Sequence, residues 1–288
     1  PAKYEAKGNG GLINFKLKKT KKDSWSANMR GTYTQTTYPA GSIGSGFNYD
    51  KNKISINSDL GITNGSISPT YNTTFFYPSQ NWEEENTNRN YYDIFRGRLG
   101  VNYKFSEKFN IGLQYMGSNN NKKNKENDFS KITNYSNNAI DSLIISKAEN
   151  KIKNNIYILD VYSTYKLDTI GRKISTNFNY LTFKDYQDRV FNSNNLLPNS
   201  IVIPNSYYSA NNISEQNITN YSAKIDVDFP TKFIELTFGG KISFTKNSTN
   251  LSVYNLTTGS QIFDPSQSNK FVYNENTEAL YISGSKKL

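Results

Sequence analysis

Residues 221–229 read YSAKIDVDF, and this stretch decides the fold class. Its odd positions carry Tyr, Ala, Ile, Val and Phe, whereas its even positions carry Ser, Lys, Asp and Asp. A side-chain period of two is the period of a β-strand, because successive residues of a strand point to opposite faces. The stretch therefore predicts a strand with one apolar face and one polar face.

The same alternation recurs along the chain, and no stretch keeps helical spacing for three turns. The prediction is an all-β protein with an antiparallel meander of about ten strands. These strands are predicted near residues 25–37, 41–49, 53–63, 92–104, 108–117, 154–167, 172–185, 218–229, 233–246 and 277–285.

The predicted connections alternate between short turns and long polar segments. A compact soluble domain seldom contains several structureless loops of such length, whereas a transmembrane β-barrel has short periplasmic turns and long extracellular loops. The pattern thus predicts an antiparallel transmembrane β-barrel. The long polar segments are residues 64–91, 118–153, 186–217 and 247–276. Aromatic residues typical of an interfacial girdle lie near the strand ends, at Tyr103, Phe105, Phe109, Tyr165, Phe229 and Phe233.

The composition removes whole classes of chemistry. The 288 residues include no Cys and no His, which excludes disulfides, thiolate or imidazole metal sites and nucleophile–histidine catalysis. Asp226 and Asp228 share a strand face, and residues 83–85 form an acidic run, but such carboxylates are typical of lumen polarity and of a solvated surface. We predict no catalytic residue, no metal ligand and no cofactor, and hence no enzyme.

The chain is basic, with 34 Lys+Arg against 24 Asp+Glu and a formal charge of +10. These lysines are scattered through turns and loops, and no nucleic-acid recognition fold is predicted, so we expect no nucleic-acid partner. Basic side chains in a barrel lumen or on its loops are suited to anionic ligands or to the phosphates of lipopolysaccharide.

The N-terminal residues 1–19 read PAKYEAKGNGGLINFKLKK, a glycine-rich turn followed by a short strand. No Gly-Lys-Ser/Thr follows, which argues against a phosphate-binding loop. The segment resembles the end of the plug domain of TonB-dependent outer-membrane receptors, where a Y-x-A-x-G-x-G-G-x-I-N-x-x-x-K run leads into the first barrel strand. The matching positions are Tyr4, Ala6, Gly8, Gly10, Gly11, Ile13, Asn14 and Lys18.

This resemblance implies two parts, the C-terminal end of a plug in residues 1–20 and the N-terminal part of a barrel in residues 21–288. Family members are 22-stranded barrels with a plug in the lumen, so ten strands imply a piece of a larger receptor in the cell outer membrane. The implied function is energy-coupled uptake of a large scarce nutrient, namely a siderophore, cobalamin, a glycan or a peptide. The implied partners are the TonB–ExbB–ExbD complex, through a segment absent here, and outer-membrane lipid with lipopolysaccharide; a surface lipoprotein stays an open alternative.

Two other functions stay open from the sequence. One is a small passive outer-membrane pore, and the other is a soluble or surface-attached β-rich adhesin or glycan-binding module. The Tyr- and Asn-rich residues 71–82 and 207–217 are suited to stack against and hydrogen-bond a sugar or a chelate, but no ligand-binding residue is assigned. Within the strands, Leu99 is predicted to face lipid and Asn102 to face the lumen, so Leu99→Arg is expected to cost far more than Asn102→Arg.

Overall fold

The computed structural model describes residues 23–286, and these form one antiparallel sheet of 12 strands. Among these residues, no helix has the length and apolar character needed to cross a membrane. The predicted plug end lies outside the described residues. The strands are β1 (Ser24–Gln35), β2 (Pro39–Lys51), β3 (Ile54–Ile67), β4 (Thr70–Phe76), β5 (Gln80–Lys104), β6 (Phe109–Asn134), β7 (Ile140–Lys166), β8 (Lys173–Leu196), β9 (Tyr208–Pro230), β10 (Glu235–Asn255), β11 (Ile262–Phe263) and β12 (Asn269–Ser285).

The sheet is a meander in which each long strand pairs with the next long strand. The short strands are side additions, since β4 pairs with β5 and β11 pairs with β10. Without them, the long strands are the ten that the alternation predicts. β1 and β12 are the two edges, and within residues 23–286 no ladder joins them, so the described sheet is open.

The two ends of the strands differ in how well the sequence predicts them. At the short-turn end the agreement is within about two residues; for example, the strand predicted at 108–117 begins at Phe109. At the other end this strand continues to Asn134 and β7 begins at Ile140, so the two strands together cover most of the predicted loop 118–153. The connections at this end are long, as predicted, but most of their residues are paired strand. Beyond the membrane both faces of a strand meet water, so the period-two signal disappears while the backbone pairing continues.

The register gathers the apolar side chains on one face, which we call the outward face. Leu99 pairs in register with Tyr115, and the row of side chains paired in register with these two continues across four further strands. These side chains have no covering layer in the described sheet; at the edge, Leu280 is 91% and Ile282 77% exposed. An uncovered apolar face of this extent is suited to lipid, and Leu99 lies on this face as the predicted lipid-facing position requires. The row continues through Leu159, Tyr180, Tyr221 and Phe244.

The opposite, inward face is polar in its short-turn half. Lys173 and Lys224 lie 3.4 Å from the carboxylates of Asp228 and Asp226, respectively. The Thr237 hydroxyl donates to Asp228 at 2.9 Å. The two carboxylates that share a strand face thus form ion pairs across and along the strands, as expected for the polar lining of a barrel.

Aromatic side chains cluster at the short-turn end, as the sequence predicts. The ring centroids of Tyr103 and Phe105 are 4.6 Å apart, and those of Phe105 and Phe109 are 5.5 Å apart. Phe109 continues the chain of contacts to Tyr165 at 6.3 Å. Such rings stabilise the boundary between hydrocarbon and water, because their amphipathic character suits the interface.

Glycines on the inward face allow long side chains to reach over a whole strand. The Arg30 guanidinium of β1 crosses Gly44 of β2 and donates to Asp59 of β3 at 3.0 Å. A Cβ at position 44 would lie 2.8 Å from the Arg30 Nε, so only glycine leaves this path open.

Two further bonds have the same arrangement. The Tyr162 hydroxyl of β7 crosses Gly112 of β6 and donates to the Asn102 Oδ1 of β5 at 2.6 Å. The Tyr281 hydroxyl of β12 crosses a glycine of β10 and donates to Asp226 of β9. We call these three contacts the glycine-crossing bonds.

Gly112→Ala is expected to break the bond between Tyr162 and Asn102, because the new Cβ would lie 2.6 Å from the Asn102 Oδ1 and still closer to the Tyr162 ring. The overpacking should cost about 1–3 kcal/mol of unfolding free energy, measured by urea titration in lipid vesicles. Gly61→Ala is the matched control, because its nearest neighbour would be a carbonyl oxygen at 3.9 Å. Equal losses for both variants would contradict a crossing role for Gly112.

Leu99→Arg places a charge in the hydrocarbon and is expected to lower the unfolding free energy in vesicles by roughly 2–4 kcal/mol. Asn102 is an unsuitable inward control, since Asn102→Arg would also remove the bond from Tyr162. Ser222 lies on the inward face, in register with Asn179 and Ser243, and has a polar environment. Ser222→Arg should cost less than about 1 kcal/mol, and a cost equal to that of Leu99→Arg would reverse the assignment of the faces.

Candidate functional site

The inward face changes character above the membrane, where it carries asparagines on three neighbouring strands. Asn90 of β5 pairs in register with Asn124 of β6, which pairs with Asn150 of β7. Together with their neighbours on the same face, these residues form a surface that we call the asparagine wall. Its members are Asn86, Asn88, Asn90, Asn120, Asn124, Asn150 and Asn154.

Several amide oxygens of this wall have no hydrogen-bond partner within the described chain. They belong to Asn86, Asn88, Asn120 and Asn150, and the last of these residues is only 8% exposed. A buried acceptor without a partner costs about 1–3 kcal/mol, so native proteins satisfy such groups with protein, water or ligand. The wall therefore offers a set of acceptors to the hydroxyl or amide donors of a bound molecule.

Three acidic groups on this face have partners within it. Arg189 of β8 donates to Glu126 of β6 at 2.7 Å. Asn86 donates to Asp128, and Asn154 donates to Asp185. The wall consequently presents amide groups beside partly compensated charge, which suits a polar ligand.

Burial raises the pKa of Asp128 above the usual range of an aspartate, and the nearby carboxylates Glu84 and Glu126 raise it further. The Arg189 guanidinium acts in the opposite direction and lowers that pKa. A raised pKa means that the folded hairpin prefers the neutral acid. Ionised Asp128 therefore opposes local folding at neutral pH.

Aromatic side chains stand at the tip of the hairpin that leads into the wall. The rings of Tyr77 and Trp82 are 5.7 Å apart, and Phe76 is 78% exposed. The Trp82 indole N–H has no partner within the described chain. The Tyr- and Asn-rich residues 71–82 therefore lie at the rim of the wall, whereas residues 207–217 lie mostly at the start of β9 and do not reach it.

Sequence reasoning did not identify the wall. The sequence does contain asparagine at every second position in residues 86–90. This stretch was predicted to be a loop, however, and a loop has no faces to which alternate residues could be assigned. Residues 1–20, which carry the predicted motif positions, lie outside the described part. Within residues 23–286 no group of three His, Cys, Asp or Glu side chains is arranged to hold a metal ion.

Asp128→Asn is expected to slow hydrogen–deuterium exchange in β5 and β6 at neutral pH, because it removes the ionised form while keeping an acceptor for Asn86. The difference from the parent should vanish as the pH falls below the raised pKa of Asp128, where the parent carboxyl is already neutral. Exchange rates corrected for the intrinsic effect of pH provide the measurement.

Asp264 is the control with the opposite sign. Its pKa is lowered by hydrogen bonds from Ser266 and Gln267. The ionised carboxyl group therefore stabilises the local fold at neutral pH, and this stabilisation is lost as the pH falls through the lowered pKa. Asp264→Asn should accelerate exchange around residues 264–268 at neutral pH. If both variants shifted exchange in the same direction, the assigned electrostatics of Asp128 would be wrong.

Comparison with known proteins agrees with this geometry. Residues 165–288, which contain β8 to β12, match the model of the outer membrane protein beta-barrel family. A search of curated proteins gave no match. The one-sided apolar meander and this match together support β-strands of an outer-membrane barrel, and hence a location in the outer membrane.

Proposed function

We propose that this chain is the wall-forming part of a TonB-dependent receptor that takes up a large polar nutrient, with a plug in its lumen. In this proposal the chain contributes binding surface and barrel wall, and no catalytic chemistry. The energy for uptake comes from the TonB–ExbB–ExbD complex acting on the plug. The support comes from the inward face at membrane depth, from the asparagine wall and from the N-terminal sequence.

The observation that carries the proposal is an apolar patch on the inward face at membrane depth. Ile156 of β7 pairs in register with Phe183 of β8, which pairs with Ile218 of β9. One row nearer the short turns, Ile158 pairs with Leu181. All five side chains are half-buried in the described sheet. We call these five residues the inward apolar patch.

An open pore does not suit such a surface. The interior of a water-filled barrel is polar, and apolar area left in water costs about 25 cal/mol per Å². A folded plug packed against the inward apolar patch would remove this area from water. The patch thus favours a filled lumen over the passive pore that the sequence left open. The apolar outward face, which suits lipid, argues against the soluble adhesin or glycan-binding module.

The asparagine wall lies above this patch, where a ligand arriving from outside would first meet the interior. Its unpaired amide oxygens need donors, and the Trp82 indole N–H needs an acceptor. Hydroxyl and amide groups of a ligand supply both. Among the nutrient classes implied by the N-terminal resemblance, a glycan or a peptide fits this surface better than a charged chelate.

The coupling to TonB rests on the sequence of residues 1–20, whose glycine-rich run resembles the end of a plug. This resemblance and the inward apolar patch point in the same direction independently. The first implies that a plug precedes the barrel in the chain, and the second provides apolar surface against which that plug would pack.

Conductance across a planar lipid bilayer tests whether the lumen is filled. The purified protein, with every segment that its gene encodes, is expected to show little steady conductance, and urea should open it reversibly by loosening the plug. Phe183→Ala should increase spontaneous opening, because it removes part of the apolar packing surface. Phe178→Ala, on the outward face of the same strand, is the matched control and should leave conductance unchanged.

A large, steady conductance of the untreated protein would overturn the plugged receptor in favour of the passive pore. Energy coupling has a separate test, in which cells depend on this protein for one scarce nutrient from a panel of glycans, peptides, siderophores and cobalamin. Growth should fail when a protonophore dissipates the proton gradient or when TonB is deleted. Growth that persists in both cases would remove the TonB-dependent part of the proposal.

A further inference from the structure

One strand above the membrane is left with an unpaired edge. The pairing between β2 and β3 stops at Ala40 and Gly65, next to the turn that joins β1 to β2. Beyond Gly65 the chain continues to Ile67 and then forms β4, which pairs with β5 on one side. No strand of residues 23–286 pairs with β4 on its other side. The short β1–β2 hairpin thus leaves a gap beside Thr70–Phe76, which we call the rim notch.

The free edge of β4 presents backbone groups that can pair with a further strand. The Tyr77 N–H donates to the Gln80 carbonyl at 2.9 Å, and the Asn88 N–H donates to the Pro69 carbonyl at 3.0 Å. Since the two kinds of pair alternate along an antiparallel ladder, the odd residues of β4 bond to β5 and the even residues direct their N–H and C=O groups to the free side. These even residues are Thr70, Asn72, Thr74 and Phe76. The strand contains no lysine, proline or bulge, which are the features that commonly block strand addition.

The inward face beside this edge is acidic, although the whole chain is basic. From the asparagine wall up to Trp82, it carries more carboxylates than basic side chains. The acidic residues are Glu84, Glu126, Asp128 and Asp185, and the basic residues are Lys122 and Arg189. Arg189 donates to Glu126, and Lys122 is three pairs of residues away from Asp128 along β6. This part of the lumen therefore attracts ligands with a positive charge.

Glu84 is the carboxylate of this group that lies beside the rim notch. It is half-buried and pairs in register with Thr73 of β4. The preceding residue, Glu83, faces outward and is bonded to Lys131, whereas Glu84 forms no ion pair within residues 23–286. Glu84 also raises the pKa of Asp128, as expected for two carboxylates without a cation between them. A cationic group of a ligand would supply the charge that is missing here.

The inward side chains of β4 form a slot that leads to Glu84. Tyr71 and Phe75 lie on this face on either side of Thr73, and they are 56% and 45% exposed, respectively. They are about 13 Å apart along the strand, with the short side chain of Thr73 between them. A strand added to β4 would lie about 10 Å from β5, a distance that an arginine or lysine side chain and Glu84 span together. The rings on either side are suited to stack against the cationic group.

We propose that the rim notch binds a basic peptide, which adds to β4 as an antiparallel strand and places an arginine or lysine side chain over Thr73 and against Glu84. Main-chain hydrogen bonds to the free edge give affinity for an extended peptide, and the slot selects the basic side chain. A glycan lacks the regular N–H and C=O groups of a strand, so the free edge favours a peptide among polar nutrients. The peptide is then the nutrient of the proposed receptor, and in this respect the inference rests on the proposed function.

The side-chain contact is tested by binding in detergent, with the purified protein that contains every segment its gene encodes. The probe is a fluorescent nonapeptide with one central arginine among serine and threonine residues. Glu84→Gln should weaken its binding about tenfold, because the variant loses a charge-assisted contact. Glu85→Gln is the matched control, since it removes the same charge from the outward face of the same strand, and it should bind like the parent. A peptide with glutamine in place of arginine should bind the parent and Glu84→Gln equally.

The backbone contact is tested with two methylated forms of the arginine peptide. In an antiparallel addition, an arginine that faces inward directs its own N–H away from β4, and the two residues beside it direct theirs toward β4. N-methylation of these two residues should therefore abolish binding. N-methylation of the arginine itself is the matched control and should leave most of the binding intact.

Four outcomes would overturn the inference. The first is equal affinity of the parent and Glu84→Gln for the arginine peptide, and the second is an equal loss in Glu85→Gln, which would indicate a general effect of charge. The third is equal binding of the two methylated peptides, which would exclude strand addition. The fourth is a stable dimer that the peptide does not dissociate, which would assign the free edge to a second copy of the chain.

The proposed function and this inference fail in different experiments. A large steady conductance would overturn the plugged receptor and would leave the peptide affinities unchanged. Peptides that do not bind would overturn the inference and would leave the plug and the TonB coupling to their own tests.

Discussion

Inside a bilayer no water is available to a peptide group, so every backbone N–H and C=O in the hydrocarbon must pair with another part of the protein. The meander of this chain meets that demand by pairing each long strand on both sides, except at β1 and β12. The side chains follow from the same pairing. Because the backbone is extended and paired, alternate residues point to lipid, which leaves Leu99 42% exposed in the described sheet and Leu280, on the unpaired edge, 91% exposed.

The sequence predicted the features that this constraint controls and missed those that depend on register between distant strands. β9 was predicted at 218–229 and spans Tyr208–Pro230, because alternation is visible only where one face is lipid. Asn90, Asn124 and Asn150 are far apart in the chain, and only the register brings them together. Phe183 and Ile218 weaken the alternation of their strands, and the cause is visible only once both are on one face.

Two faces and two heights divide the sheet into four surfaces with different partners. The outward face meets acyl chains below and carries exposed polar side chains above. The inward face carries the inward apolar patch below and the asparagine wall above. Each long strand contributes to more than one surface, so one register serves lipid contact, lumen packing and ligand contact together. A shift of a single residue in any strand would exchange all of these roles at once.

The glycine-crossing bonds each join a strand to the next but one, as Tyr162 of β7 does with Asn102 of β5. Such a bond forms only when three strands are present and aligned, since the glycine must lie under the crossing side chain. At Gly112, a shift of two residues would place Asn110 or Gln114 under the crossing side chain and obstruct the bond. Each crossing therefore makes the alignment of one strand pair depend on the alignment of the next, so a register error in either pair would remove the bond.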